Sequence, residues 1–155
     1  MPDDAFLEDS PYSATFIVEV DGQAVGRFTR ASGLELTVAV EEIAEGGQNG
    51  FVHKLPGRMS WPNIVLTRGV TQNDRFFSWV SESSGEGFSS NRNTLTRSSV
   101  AITMTNTQGK RLRTWELEGA FPVRWKGPEF ASDSSDPLVE ELEIAHHGFR
   151  SSTLV

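Results

Sequence analysis

The stretch from His53 to Trp79 constrains the fold of this chain more than any other. It begins with a segment that Pro56 and Gly57 interrupt, which favours a loop. It continues in a short apolar run at residues 64–68, and the length of that run predicts a buried strand. The stretch therefore predicts a change from loop to strand, followed by a short helix.

The helix is predicted from its capping and its spacing. Thr71 is the expected N-cap, Asp74 follows at N3, and the helix is expected to run to about Glu82. Three apolar side chains share one face at i, i+1 and i+4 spacing: Phe76, Phe77 and Val80.

Most of the remaining chain alternates between apolar and polar residues, as half-buried strands do. Asp21 and Gly22 stand between two such runs and predict a tight hairpin turn. The run at 34–41 is expected to bury one face and leave the other wet. Residues 138–149 fit either a helical stripe or strand alternation, and composition alone slightly favours a helix.

Length and charge exclude several classes of function. A chain of 155 residues fits one domain with one substantial core. Its 14 basic and 21 acidic residues give a formal charge of −7, which disfavours binding to nucleic acid or to an anionic membrane. The chain has no cysteine, so disulfides and thiolate metal sites are excluded. Residues 1–11 read as a polar N-terminal tail without a signal sequence, and we expect no membrane anchor.

No residue pattern indicates catalysis. His146 and His147 are adjacent, so on a strand they point to opposite faces and cannot readily share a metal. The glycine-rich segment at 46–50 lacks the Lys-Ser/Thr pair of a phosphate-binding loop, and no nucleophile signature is present. The basic cluster at 110–113 is expected to form salt bridges between subunits. We expect no enzyme activity, no cofactor and no metal.

Several motifs in order resemble the tube protein of contractile phage tails and phage-tail-like (extracellular contractile) injection systems. They are the segments at 16–22 (FIVEVDG), 32–34 (SGL), 45–47 (EGG), 54–57 (KLPG), 66–69 (LTRG) and 141–146 (ELEIAH), together with Trp79. The resemblance covers residues 12–149 approximately. His147 departs from it, because the family commonly has Glu there.

The resemblance implies a mainly β fold for a single domain over 1–155. This would be a two-sheet antiparallel β-sandwich or barrel with one short flanking helix, assembling into a hexameric ring. It also makes 138–149 a strand. Residues 45–61 would be a long loop between subunits. The expected contact residues in and after that loop are Gly46, Gly47, His53, Lys54, Leu55, Pro56, Gly57 and Trp61.

The function implied is that of a structural inner-tube subunit, whose stacked rings make a conduit with a polar lumen. The implied partners are further copies of the chain, a sheath protein, baseplate and cap proteins, and protein or nucleic-acid cargo in the lumen. Assembly would occur in the cytoplasm, and the phage virion or tail-like particle could be released from the cell. The alternatives are a secreted hexameric ring carrier of the type VI secretion type and a ligand-binding β-barrel.

Overall fold

A sandwich of two antiparallel sheets forms the body of the protein. The computed structural model describes residues 14–47, 49–72, 74–84, 95 and 97–153, so the predicted tail at 1–11 lies outside the described residues. The strands and the helix within these ranges are β1 Thr15–Val20, β2 Gln23–Phe28, β3 Arg30–Ser32, β4 Thr37–Ile43, β5 His53–Ser60, β6 Ile64–Gly69, α1 Arg75–Ser83, β7 Ser98–Thr105, β8 Arg111–Lys126, β9 Val139–Ala145 and β10 Phe149–Thr153.

One long strand belongs to both sheets. The first sheet has the order β10-β8-β7-β1-β2, and the second has the order β8-β9-β6-β3. β8 has 16 residues; its first part pairs with β7 and β10, and its last part pairs with β9. The register with β9 shifts between Pro122 and Arg124, and such irregularities bend a strand. The two sheets therefore face each other as a sandwich, as the resemblance implied, and they do not close into a barrel.

The hairpin between β1 and β2 forms where Asp21 and Gly22 predicted it. Both residues have positive φ, 49° and 79°, as the two central positions of a type I′ turn require. The backbone N–H of Asp21 donates to the carbonyl of Ser99, and the Ser99 N–H donates to the Asp21 carboxylate. The turn is therefore also fastened to β7.

The core lies between the two sheets. Strand alternation places apolar side chains from both inner faces there, and the buried set comprises Val18, Val25, Phe28, Ile64, Leu66, Phe76, Trp79, Val100, Ile102, Leu117, Ala120, Leu142 and Ile144. The strand predicted at 64–68 is confirmed as β6. The strand over 139–145 is confirmed as β9, whose pairing with β6 and β8 outweighs the weak helical preference of its composition.

The helix differs from its prediction at the start and in one buried position. It begins at Arg75 with Asp74 as N-cap, and not after Thr71. The reason is that the Val70 N–H still bonds to the Leu138 carbonyl, so the chain stays extended beyond β6. Phe76 is buried as predicted, whereas Phe77 is 52% exposed. No helix among the described residues is long and apolar enough to cross a membrane.

Two predictions for residues 34–61 are wrong. The segment at 45–61 is not a continuous loop, because β5 occupies His53–Ser60 and pairs antiparallel with β4. The irregular connection is shorter, between Ile43 and His53. β4 was expected to bury one face, but all of its residues are exposed. A two-stranded pair standing outside the sandwich has no core to bury a face against.

Candidate assembly surfaces

β4 and β5 form a two-stranded ribbon that stands apart from the sandwich. All seven residues of β4 and seven of the eight residues of β5 are exposed. The two strands pack closely on each other and have at most marginal contact with other described elements. An isolated pair of strands is marginally stable in water. The ribbon therefore needs a surface outside its own protomer.

The ribbon carries apolar side chains on both faces. One face presents a strip formed by Val38, Val40, Pro56 and Met59, three of which rank among the exposed large hydrophobics. The ribbon tip, where the two strands connect, adds Ile43, Phe51, Val52 and Leu55. Val40 is 59% exposed and Phe51 is 56% exposed. Contiguous exposed apolar surface of this kind marks an interaction site.

The structure brings most of the predicted contact residues together on this ribbon. Lys54 pairs with Glu42, Leu55 with Glu41, and Pro56 with Val40. Pro56 has no N–H to donate to a ladder, and proline in sheets is confined to edge strands and bulges. Gly57 follows at the register shift, where a Cβ would lie 3.2 Å from the Ala39 carbonyl oxygen.

The other predicted ribbon residues lie at or near its tip. Gly46 and Gly47 form a turn after β4, and Gly47 has φ 88°. His53 opens β5, with its Nε2 3.1 Å from a Glu45 carboxylate oxygen. The His53 ring also meets Phe51 edge to face, with the centroids 5.1 Å apart.

Trp61, the last of the predicted contact residues, lies at the ribbon base and packs inward. Its ring meets Phe149 at 4.9 Å between centroids. The Gly148 N–H donates to Nδ1 of His146, so the ring proton sits on Nε2 and is donated to the Pro62 carbonyl at 3.0 Å. A Cβ on Gly148 would lie 3.0 Å from the Trp61 ring. Trp61 therefore anchors the ribbon and is not a surface contact.

A polar contact holds the same connection from the other side. Asn63 donates to one carboxylate oxygen of Glu143 at 2.9 Å, and Arg124 donates to the other at 3.0 Å. The Asn63 hydrogen bond, followed by the contact with Arg124, holds the pKa of the Glu143 carboxyl below its ordinary value. β9 thus grips both the connection after β5 and the end of β8.

Arg68 fixes the helix against the sheets. It is only 3% exposed and forms a short ion pair with Glu140. Its guanidinium lies over the rings of Phe28 and Phe76, at 5.2 and 5.0 Å from their centroids. A Cβ on Gly26 would collide with the guanidinium, so the glycine leaves the space that Arg68 fills.

A groove opens at the end of the second sheet where β8 ends and β9 begins. The connection between these strands borders about 1010 Å³ of space. The apolar lining includes Phe130, Leu138 and Val139, and Phe130 is 80% exposed. Its charged lining is mostly acidic, since one lysine, Lys126, faces the three carboxylates of Glu129, Asp136 and Glu141.

The outer face of the first sheet is polar. Thr15, Thr103, Thr105 and Thr114 lie side by side on it and are hydrogen-bonded in pairs across the strands. Charged residues flank them: Glu19, Glu116 and Glu118, and Arg27, Arg111 and Arg150. Of the predicted basic cluster, Arg111 pairs with Glu19 at 3.1 Å, and Arg113 donates to Ser151.

None of these surfaces has the arrangement of a metal centre. Within the ranges that the structure describes, no group of three or more His, Asp, Glu or Cys side chains could hold a metal ion. His146 is engaged at the ribbon base, whereas His147 is exposed.

Sequence reasoning missed two of these surfaces. β4 was read as an ordinary half-buried strand, because its alternation is the same whether the apolar face meets its own core or another molecule. The groove at 126–141 has no periodic signal; an isolated Phe130 in a polar connection was its only mark.

Comparison with known proteins agrees with this architecture. The profile of the family "T4-like virus tail tube protein gp19" matches residues 13–150. None of the curated proteins compared with the chain is significantly similar to it in sequence. A chain of the PVC sheath-tube complex of an extracellular contractile injection system, in its extended state, is 26% identical with a TM-score of 0.78, covering 97% of this chain and 96% of that one.

Two further structures extend the likeness. A chain of the anti-feeding prophage cap is 27% identical with a TM-score of 0.72, covering 90% of this chain and 88% of that one. Hcp1 from Flavobacterium johnsoniae, at 13% identity and a TM-score of 0.50, covers 90% of this chain and 94% of that one, and shows a shared fold alone. The family profile spans most of the residues that build both sheets, the helix and the ribbon. The chain belongs to the T4-like virus tail tube protein gp19 family, and it is a tube protein.

Proposed function

We propose that the chain is the inner-tube subunit of a contractile injection particle, forming rings of six copies that stack into a stiff conduit. The observation that carries this proposal is the ribbon, whose apolar residues are exposed on both faces in a protomer of the tube family. Its role is mechanical, and no turnover is involved.

Ring closure has a physical basis in the first sheet. β2 and β10 stand at its two ends, each paired on one side only. Unpaired strand edges invite pairing with another chain. A contact between different surfaces that closes by rotation makes a ring, and one that repeats along an axis makes a filament. Both kinds of contact are needed for a tube.

The polar outer face of the first sheet is the surface proposed to line the lumen. Its three carboxylates, on Glu19, Glu116 and Glu118, balance its three guanidinium groups, so the face is neutral, 3 − 3 = 0. The charge of −7 on the whole chain is therefore carried elsewhere. A neutral wall of threonines and paired charges attracts neither sign strongly, which suits passage of either protein or nucleic-acid cargo.

The proposed partners follow from the relatives. Similar chains occur in a sheath-tube complex, in a cap and in a baseplate. We infer that this tube likewise runs inside a sheath, starts on a baseplate and ends at a cap. Assembly in the cytoplasm and later release with the particle complete the proposal.

A secreted hexameric ring of the type VI secretion type is the second candidate. The fold shared with Hcp1 favours it. The higher identity and TM-score against the injection-system tube favour the first candidate. The two differ in stacking, since a ring carrier works as separate rings and an inner tube works as a continuous stack.

Negative-stain electron microscopy of the purified chain tests the proposal. We expect six-fold rings and stacked tubes at micromolar concentration. Separate rings without stacks would favour the secreted carrier. A strictly monomeric species at every salt concentration would refute both.

Variants of the ribbon sharpen that test. Val40→Asp, or a shortened segment 47–51, should abolish tube growth while leaving the circular dichroism spectrum near native, because the ribbon contributes little to the core. Thr107→Asp, at an exposed turn outside the ribbon, is the control for added charge. Unfolding of Val40→Asp would show instead that the ribbon belongs to the fold of the protomer.

A further inference from the structure

The ribbon and the groove lie at opposite ends of the second sheet. The ribbon base joins β6 at Ile64, which pairs with Ile144. The groove borders the other end, where Gly69 pairs with Val139. The six residues of β6 separate the two sites by about 17 Å, at roughly 3.3 Å per residue.

The two sites are chemically complementary. The ribbon tip presents Phe51 and Val52, and the groove presents Phe130 and Leu138. An apolar cluster on each side gains by mutual burial. Neither cluster is covered within the described part of the protomer, since the four side chains are from 42% to 80% exposed.

Charge agrees with this match. The charged side chains that line the groove sum to −2, from one lysine and three carboxylates, 1 − 3 = −2. The strand β5, which leads to the ribbon tip, carries the cations Lys54 and Arg58, both exposed. Opposite potentials on two surfaces fix the register of their contact and favour their encounter.

We propose that the ribbon tip of one copy docks in the groove of a copy in the next ring. The occupant is a second copy of this chain, because one protomer carries both halves of the contact at opposite ends. Such a head-to-tail contact does not close on itself and so continues without limit. The proposal rests on the tube function and names the receptor for the ribbon within it.

Cysteine cross-linking tests this docking directly, since the chain has no cysteine of its own. The double variant Phe51→Cys/Phe130→Cys, assembled and then oxidised, should give a ladder of disulfide-linked chains that extends beyond six copies. Contact within one ring would give a ladder that ends at six. Phe51→Cys/Gln108→Cys is the matched control, because Gln108 lies in the exposed turn between β7 and β8, and it should give no ladder.

A single substitution provides an independent measurement. Phe130 is 80% exposed, so Phe130→Asp removes the apolar anchor of the groove without opening the core. We expect six-fold rings to persist, while the concentration needed for tube growth rises about tenfold or more, as the loss of a central aromatic contact implies.

The outcomes separate the two proposals. A ladder that ends at six, no ladder in tubes that are visible by microscopy, or unchanged growth of the Phe130→Asp variant would overturn the docking and leave the tube function intact. Failure of the unmodified chain to form any ring would overturn the tube function, and the docking with it.

Discussion

Replacing Arg68 with methionine should destabilise the protomer by about 3–5 kcal/mol, the cost of breaking a buried ion pair by removing one partner. Methionine fills much of the space of the arginine stem but leaves the Glu140 carboxylate, whose side chain is 13% exposed, without its cation. The Trp125 indole N–H, at 3.3 Å from the other carboxylate oxygen, compensates only part of that loss. The contacts of the guanidinium with Phe28 and Phe76 disappear as well.

Two further variants make the test specific. The double variant Arg68→Met/Glu140→Leu removes both charges, and replacing a buried pair with apolar residues is often nearly neutral or stabilising. It should therefore be clearly more stable than Arg68→Met alone. Arg124→Met is the matched surface control. Arg124 pairs with Glu141 and Glu143 but is 49% exposed, so its loss should cost no more than about 1 kcal/mol.

Urea unfolding, followed by tryptophan fluorescence and circular dichroism, measures all three changes. The protein must be dilute enough for ultracentrifugation to show it unassembled, because assembly adds to the apparent stability. The reasoning is refuted if Arg68→Met costs no more than Arg124→Met. It is also refuted if the double variant is no more stable than Arg68→Met.

Three further changes test other features of the fold. Because the pKa of Glu143 is lowered in the folded protein, its stabilising contribution is complete above the pKa of the unfolded chain and is lost as the pH falls through the folded value. Glu143→Gln should therefore reduce the acid sensitivity of the urea midpoint, and an unchanged pH profile would contradict this. Gly148→Ala should lower stability by about 1–3 kcal/mol through strain at φ 128° and contact with Trp61, whereas Gly46→Ala, with open space around it, should not. Leu142→Pro should prevent folding, since β9 is paired on both sides; a native circular dichroism spectrum would refute that expectation.

Local chemistry was enough to predict some elements. The Asp21-Gly22 turn could be predicted because its two positive φ angles suit these two residues. The apolar run of β6 could be predicted because Ile64 and Leu66 are both fully buried. Composition could not decide β9, where the resemblance to tube proteins indicated the strand that pairing on both sides then explains.

Features that depend on distant contacts could not be predicted. The helix starts later than its capping residues indicated, because Val70 remains bonded to Leu138. Pro56 and Gly57 suggested a loop, but an exposed strand at a bulge tolerates both residues. The place of Trp61 depends on His146 and Phe149, which lie more than eighty residues further along the chain. No local pattern reports such a contact.

The 16-residue strand β8 has a consequence for how a tube wall would respond to force. In a sandwich whose layers are joined only by side-chain packing, shear can slide one layer over the other. Here the same backbone crosses from the first sheet into the second and is hydrogen-bonded in both. Sliding the layers would therefore require bending a covalent chain and breaking ladder bonds on either side of Pro122. The wall should be stiff against shear even where its apolar core is small.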